Sequence, residues 1–311
     1  MRLESVRALK EQFAIIQRRT VRAGFRPTFG LGVASRGSED YLLAVHVQEH
    51  RLLRGSLLEE IREAANGEVD IRYVGRLIKR VSPRLRVRPL HAGLSVGHYA
   101  VTAGTIGGFV HRAGSDRWHV LSNNHVLADE NRGQIGDVVI QPGSADGGRQ
   151  GQDRIGALAD YVRLDTSTPN KVDGALAIVD DGIEIDPTSL PGLGAVSGTA
   201  SSEEAVAIGQ VAKLGRTTGL TFGTVIAIEM DIVVEYDVGL LRFEGQIAVR
   251  GTSGPFSQGG DSGSLIVTAD DHRAVGLLFC GVGSGEDDIE DVTYAHPIGE
   301  VLTQLHAEAP W

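Results

Sequence analysis

The sequence predicts a mainly β protein with two antiparallel β-barrels, a small α+β module before them and a helix after them. Glycine supplies 41 of the 311 residues and aromatic residues only 5%, a composition that suits many tight turns between short strands. Short apolar runs occur in two successive sets, separated by the segment DPTSLPGLG. Because a set of antiparallel strands can remove its exposed edges by closing on itself, two sets predict two barrels.

The N-terminal module is predicted over residues 1–95, ending in a basic linker that contains Pro83 and Pro89. Its first helix is amphipathic, and we interpret it as a packed helix with a solvated basic face; a membrane or partner helix is the alternative. The second helix is expected to be capped by Ser56, with Glu59 three residues on. The predicted elements are a helix from Leu3 to about Arg22, the strands FGLGVA and YLLAVHVQ, the helix SLLEEIREAA and the strand VDIRYVGR.

The two barrels are predicted over residues 96–185 and 186–311. The first set of strand candidates comprises VTAGTIGGFV, RWHVLSNN, GDVVIQ, RIGALADYVRL and VDGALAIV. The second comprises VAIGQVAKLG, TFGTVIAIEMDIVVEY, LLRFEGQIAV, GSLIVTA and AVGLLFCG. After them, Pro297 begins a predicted helix, IGEVLTQLHAE, whose apolar residues can pack on the second barrel.

Charge argues against a nucleic-acid partner. The net charge is −10, but residues 1–100 carry 18 Lys or Arg against 10 Asp or Glu, whereas the rest of the chain carries 12 against 30. Phosphate contact requires clustered positive charge, which the acidic body lacks. Attraction between the two oppositely charged halves is the simpler interpretation of the basic front segment.

The chain shows no sign of a membrane or an oxidising compartment. No apolar stretch approaches the roughly 18 residues of a transmembrane helix, and the start, MRLESVRALKEQ, lacks the apolar centre of a signal peptide. A lone cysteine, Cys280, cannot form an internal disulfide. The histidines lack metal-ligand spacing with cysteine or with one another. We therefore expect a cytoplasmic protein without a membrane partner, a metal or a cofactor.

The segment GGDSGSLIV, residues 259–267, is the most informative motif. It places Ser262 between an acid and a glycine just before an apolar strand. Such a glycine-dense turn lets backbone amides, here those of Gly260 and Ser262, point at one spot, as an oxyanion hole requires. An isolated GDSG is also compatible with an ordinary turn. A serine nucleophile needs a base held by a third group, so the sequence must also supply a histidine and an acid.

His125 and Asp173 are the candidates for those two groups. VLSNNHVLA places His125 at the end of a strand and the start of a short helical turn. VDGALAIV places Asp173 at the head of an apolar strand, where a buried carboxylate is costly without a partner. The order is His, Asp, Ser with gaps of 48 and 89 residues, close to the gaps of about 45 and 93 in chymotrypsin. This order predicts a site between the barrels, with Ser262 in the second.

Together, LSNNHVL, VDGALA and GDSGS resemble the trypsin-like serine peptidase superfamily over roughly residues 100–307. Within it, the chain is similar to bacterial trypsin-like proteins and to the plant NARROW LEAF 1 type. The resemblance implies six-stranded antiparallel barrels. It also implies His125 as general base, Asp173 as its orienting acid, Ser262 as nucleophile, and the amides of Gly260 and Ser262 as oxyanion donors.

The sequence departs from the secreted members of that superfamily. Asn123, Asn124 and Val126 replace the usual alanine and cysteine around the histidine, consistent with a disulfide-free relative. Ser264 replaces a glycine two residues after the nucleophile. No cleavable activation site is evident, so Asp261 is not expected to await a new N-terminus.

The resemblance also implies a substrate pocket. The strand VGLLFCG would line it, with Cys280 and Gly281 beside the substrate and Phe256 near the floor. An aromatic there, rather than an acid, argues against arginine or lysine preference and favours a small or apolar side chain. Cys280 lies in an apolar strand and is interpreted as a buried small hydrophobe, not as a thiol nucleophile.

These observations predict a serine endopeptidase that hydrolyses protein or peptide substrates through an acyl-enzyme. The alternatives are a catalytically silent or regulated module that binds a polypeptide in the barrel cleft, and a serine esterase. A complete triad counts against the silent module, because a decayed enzyme usually has lost one member, but fold resemblance alone excludes neither alternative. The N-terminal module is the candidate surface for homo-oligomer formation.

Overall fold

The computed structural model describes residues 1–22, 29–48, 52–53, 55–74, 82–282 and 291–311. The chain divides into two compact units, Met1–Lys79 and Arg80–Trp311. The barrel boundaries placed at residues 95 and 185 stay predictions. None of the helices in the described ranges combines the length and apolarity needed to cross a membrane. Most of the acidic segment GEDDIED, at 285–290, and the linker residues 75–81 lie outside the described residues.

The first unit is a three-stranded sheet with two helices, in the predicted order α, β, β, α, β. In the sheet order β1-β2-β3, the first pair is antiparallel and the second is parallel. Gly55, not Ser56, is the N-cap of α2, and it makes no side-chain cap, so the cap predicted at Ser56 is wrong. Ser56 is itself the first helical residue, so the cap position falls on Gly55, whose backbone is extended. The elements are α1 (Leu3–Arg22), β1 (Phe29–Gly37), β2 (Asp40–Val47), α2 (Ser56–Ala64) and β3 (Val69–Tyr73).

The second unit begins with an eight-stranded antiparallel sheet around an apolar core, in the order β19-β6-β7-β10-β9-β8-β4-β5, where β19 is the C-terminal strand Ala307–Glu308. Most of these strands come from the predicted first set. Its elements before the second barrel are β4 (Ser95–His98), β5 (Gly104–Thr105), β6 (Gly108–Arg112), β7 (Trp118–Ser122), α3 (Asn124–Leu127), β8 (Val138–Ile140), β9 (Arg154–Tyr161) and β10 (Ala175–Val179).

A connecting segment carries two short strands and a helix before the second barrel. The segment VAI, predicted as strand, lies within helix α4, which a capping box between Ser201 and Glu204 begins. The reciprocal bonds of that box satisfy two orphan backbone donors and favour helix there. The elements are β11 (Ser189–Leu190), β12 (Gly194–Ala195) and α4 (Ser202–Ile208).

The second barrel is closed, with six strands in the order β13-β14-β15-β18-β17-β16. The mainly β class with a C-terminal helix is thus confirmed. β14 and β15 are 18 and 13 residues long and form the β14–β15 hairpin, whose turn is Asp237–Val238. The strands are β13 (Gln210–Gly215), β14 (Gly219–Tyr236), β15 (Gly239–Gly251), β16 (Leu265–Thr268), β17 (Ala274–Gly281) and β18 (Val292–Pro297).

The C-terminal segment connects the eight-stranded sheet, which stands where a six-stranded barrel is expected, to the closed second barrel. Helix α5 (Ile298–Gln304) buries apolar side chains in a cluster that contains residues of both sheets. It is shorter than predicted, because Ala307–Glu308 forms strand β19 and pairs with β6. The unpaired edge of β6 accounts for the difference: its backbone groups need partners, and the segment after α5 supplies them.

Candidate active site

A His–Asp pair lies at one end of the neighbouring central strands β7 and β10 of the first sheet. Helical turn α3 directly follows β7 and carries His125, whereas Asp173 stands two residues before β10, the strand paired with β7. His125 Nδ1 lies 2.5 Å from Asp173 Oδ2, and the His125 backbone N–H donates to Asp173 Oδ1 at 3.2 Å. Asp173 is fully buried. The pairing of β7 with β10 therefore brings together two side chains 48 residues apart.

Each member of the pair shifts the pKa of the other. Burial alone would lower the pKa of His125, but the charge and hydrogen bond of Asp173 raise it above its ordinary value. Burial alone would raise the pKa of Asp173, but the charge of His125 and its hydrogen bond lower it. The carboxylate is therefore ionised near neutral pH, and the Nδ1–H tautomer of the neutral imidazole is favoured.

The two asparagines before His125 anchor its turn. Asn123 Nδ2 donates to the Asp173 carbonyl at 2.7 Å. Asn124 Nδ2 donates to the Val162 carbonyl at 2.8 Å, and Asn124 Oδ1 accepts from the Asn131 amide at 3.0 Å. Both side chains are buried. These hydrogen bonds fix the turn that carries His125.

Ser262 lies in a tight loop before β16. The positive φ angles of Gly260 and Gly263, 93° and 92°, require residues without a side chain. A Cβ at Gly263 would also collide with the Thr105 carbonyl. The loop is bound to the first sheet, because the Thr105 amide donates to the Ser262 carbonyl at 2.8 Å and Thr105 Oγ1 donates to the Gly260 carbonyl at 2.9 Å.

His125 and Ser262 line one open cleft with a volume of about 600 Å³. Ser262 Oγ donates to the Phe279 carbonyl at 3.2 Å. Among the described residues, no hydrogen bond joins Ser262 Oγ to His125. Catalytic hydrogen bonds are often loose without substrate and tighten in the complex. The structure therefore joins His125 to Asp173 directly and brings Ser262 to the same cleft.

A buried lysine that sequence reasoning missed lies under the serine loop. Lys213 Nζ is 3.4 Å from Asp261 Oδ2, and both side chains are fully enclosed. Asp261 also accepts from the Thr217 amide at 2.7 Å, from Thr218 Oγ1 at 2.7 Å and from the Gln258 amide at 3.0 Å. Burial lowers the pKa of Lys213, and the charge of Asp261 opposes that effect. An internal cation thus pairs with the acid next to Ser262.

The predicted pocket residues occupy different environments. Cys280 lines a second cleft of about 580 Å³ together with His125 and Phe279. Burial raises the pKa of its thiol, which disfavours the thiolate. Gly281 is exposed at the end of β17. Phe256 is fully buried in the core of the second barrel. In the described ranges, no group of three His, Cys, Asp or Glu side chains is placed to hold a metal ion.

Two further side chains contact Asp173. Tyr236 Oη donates to Asp173 Oδ2 at 2.6 Å. The Asp173 amide donates to His296 Nε2 at 2.9 Å, and His296 Nδ1 then donates to Gln246 Oε1 at 2.6 Å. Complete burial lowers the pKa of His296 to about 3, so its ring is neutral. Neither residue stands in a motif, and only the fold reveals them.

Comparisons with known proteins give one family match and a set of similar solved structures. A family described as Nal1 C-terminal domain matches residues 158–290. The chain is similar to trypsin-like serine peptidases. No curated protein matches it.

Three solved structures show the extent of that similarity. Protease A of Thermobifida fusca is 19% identical, with 70% of this chain and 97% of that chain covered and a TM-score of 0.48. Nocardiopsis protease gives the same four values. Cellulomonas bogoriensis chymotrypsin is 21% identical over the same shares, with a TM-score of 0.46.

Proposed function

We propose that this protein is a serine endopeptidase that cleaves protein or peptide substrates through an acyl-enzyme. The observation that carries the proposal is the buried, ionised Asp173 bound to Nδ1 of a histidine that shares a cleft with Ser262. That arrangement leaves the other ring nitrogen of His125 free of Asp173 and available as a base.

The proposed reaction starts when the Ser262 hydroxyl turns from the Phe279 carbonyl toward His125. His125 takes the hydroxyl proton as Ser262 Oγ attacks the substrate carbonyl carbon. The amides of Gly260 and Ser262 bind the resulting oxyanion. The imidazolium then gives its proton to the leaving amine as the C–N bond breaks. Water, deprotonated by His125, releases the acyl group and restores Ser262.

A regulated binding module is the second candidate, and one observation favours it. Ser262 Oγ is bonded to the Phe279 carbonyl, an arrangement that leaves the hydroxyl away from the base. In a silent module this bond persists when a polypeptide occupies the cleft. In a peptidase it exchanges for a bond to His125.

Labelling by a fluorophosphonate probe tests the proposal. Wild-type protein is expected to react covalently, and Ser262→Ala and His125→Ala are expected to lose the label because nucleophile or base is missing. The matched control is Ser253→Ala, an exposed serine in the preceding loop, which should label like wild type. A folded wild-type protein that stays unlabelled would reject the peptidase proposal in favour of the binding module.

The labelling rate should also depend on pH. A protonated imidazole cannot accept the Ser262 proton, so the rate falls as pH falls through the pKa of His125. Because Asp173 raises that pKa, the half-maximal rate is expected above pH 6.5, the ordinary value for histidine. A rate profile between pH 5 and 9 gives the midpoint. A midpoint below 6.5 would contradict the effect of the His125–Asp173 pair.

A further inference from the structure

The Asp173 carboxylate has a donor that the three-residue mechanism does not use. Tyr236 Oη lies 2.6 Å from Asp173 Oδ2, the same oxygen that accepts from His125 Nδ1. A carboxylate is an acceptor only, so the tyrosine must donate its proton. Burial and the charge of Asp173 raise the pKa of Tyr236 well above its ordinary range, which keeps that proton in place.

The β14–β15 hairpin delivers this hydroxyl across the cleft from the second barrel. Tyr236 is the last residue of β14. The following turn is held on the first-barrel side: Arg132 Nη2 lies 3.1 Å from Asp237 Oδ2, and the Val238 amide donates to Glu130 Oε2 at 3.0 Å. The position of the hydroxyl is thus restrained both by its strand and by the turn beyond it.

Backbone hydrogen bonds and ring packing complete this restraint. The Asn170 amide donates to the Arg242 carbonyl at 2.8 Å, and the Glu244 amide donates to the Asn170 carbonyl at 3.0 Å, which attaches β15 to the loop before Asp173. The Tyr236 ring meets His125 edge-on, with centroids 5.8 Å apart, and lies 5.9 Å from Phe243. The tyrosine therefore contacts both members of the His–Asp pair.

Two donors on one carboxylate oxygen compete for its charge. The bond from Tyr236 withdraws negative charge from Oδ2 and weakens the attraction of Asp173 for a protonated His125. It also fixes the carboxylate plane, on which the imidazole orientation depends. Losing the hydroxyl should therefore raise the pKa of His125 and loosen the ring.

We propose that Tyr236 is a positioning residue that orients the Asp173 carboxylate and sets the basicity of His125, so that the site operates with four residues. The assignment of His125 as general base rests on the proposed function. The link from Tyr236 through Asp173 to His125 rests on the hydrogen bonds alone, and it can be measured without any reaction.

Other groups near His125 must be held constant in that measurement. Its pKa responds to every charge around the cleft, and of these groups the Tyr236 substitution removes a hydrogen bond from Asp173 alone. The titratable or charged groups that face it are Asp173, Glu130, Asp129, Arg132, Asp237, Glu235, His296 and Cys280.

The test is an NMR titration of His125 in the full chain, with isotope-labelled histidine and His125→Gln used for assignment. Tyr236→Phe, which removes only the hydroxyl, is expected to raise the His125 pKa by about half a unit or more. The matched control is Tyr294→Phe in the same apolar cluster, whose hydroxyl makes no hydrogen bond to a described residue. It should leave that pKa unchanged. An equal pKa in wild type and Tyr236→Phe would overturn the proposal.

A second, near-isosteric replacement keeps the hydroxyl, so that its effect on the His125 pKa does not come from misfolding. Replacing Tyr236 by 3-fluorotyrosine, a more acidic phenol, strengthens the hydrogen bond and should lower the His125 pKa, opposite to the effect of phenylalanine. No shift, or the same sign for both replacements, would reject the role of Tyr236. Fluorophosphonate labelling is followed in parallel. An unlabelled wild-type protein with the expected pKa shifts would reject the peptidase proposal and leave the Tyr236 link established.

Discussion

Asp173→Asn is expected to lower the rate constant of fluorophosphonate labelling about 10⁴-fold at neutral pH. An asparagine can present a donor to Nδ1, which selects the imidazole tautomer whose proton faces Ser262, so the ring cannot act as a base. The amide oxygen then takes the Oδ1 position and still accepts from the His125 backbone N–H, which favours a folded protein, whereas Tyr236 loses its acceptor because Oδ2 carried both of the other bonds. The rate constant, measured under pseudo-first-order conditions, gives the effect directly.

The chain offers a matched control for this substitution. His98 Nε2 and Asp137 Oδ2 form a second His–Asp pair in the same unit, at 3.1 Å, outside the described clefts. Asp137→Asn disturbs that pair and should leave the labelling rate within about twofold of wild type. Equal losses in both variants would mean that the effect of Asp173→Asn is a general loss of structure.

Lys213→Met is expected to destabilise the protein by about 3–5 kcal/mol, because it leaves Asp261 buried without its cation. Both side chains are fully enclosed, so solvent cannot replace the lost charge. The freed acid should also distort the loop that carries Ser262 and abolish labelling. Equilibrium unfolding in urea gives the stability, and labelling below the transition gives the state of the loop.

Two further variants test whether the loss of stability comes from the unpaired charge of Asp261. Lys171→Met removes an exposed lysine and should change stability by less than about 0.5 kcal/mol. Lys213→Met combined with Asp261→Asn removes both charges and should recover part of the loss. An unchanged unfolding midpoint in Lys213→Met alone would show that the pair does not stabilise the loop.

Local patterns predicted most of the fold, and non-local pairing explains most of the errors. Alternating apolar residues were sufficient for the long strands β14 and β15, and helical spacing was sufficient for α1. The capping box of Ser201 and Glu204 was a readable signal for α4 that the apolar pattern of VAIGQVAKLG obscured. Strand β19 had no such signal, because its partner lies nearly two hundred residues earlier in the chain.

The residues of the candidate site likewise fall into those that a local motif predicted and those that only non-local contacts reveal. His125, Asp173 and Ser262 stand in motifs whose order indicates a role. In the sequence, Lys213 is a lysine within a predicted apolar strand, and Tyr236 is the last residue of another; neither position indicates a role. Their partners lie 48 and 63 residues away, at Asp261 and Asp173. The Lys213–Asp261 contact follows from closure of the second barrel, and the Tyr236–Asp173 contact follows from the packing of the β14–β15 hairpin across the cleft. Local pattern specifies neither.

The pairing of β19 with β6 has a consequence for biosynthesis. Ribosomes release the chain from its N-terminus, and domains generally fold in that order. Here the β6 edge receives its partner only after the whole second barrel has been translated. A nascent first sheet therefore leaves the ribosome with its β6 edge open, exposed to pairing with other chains until the segment after the second barrel has been translated.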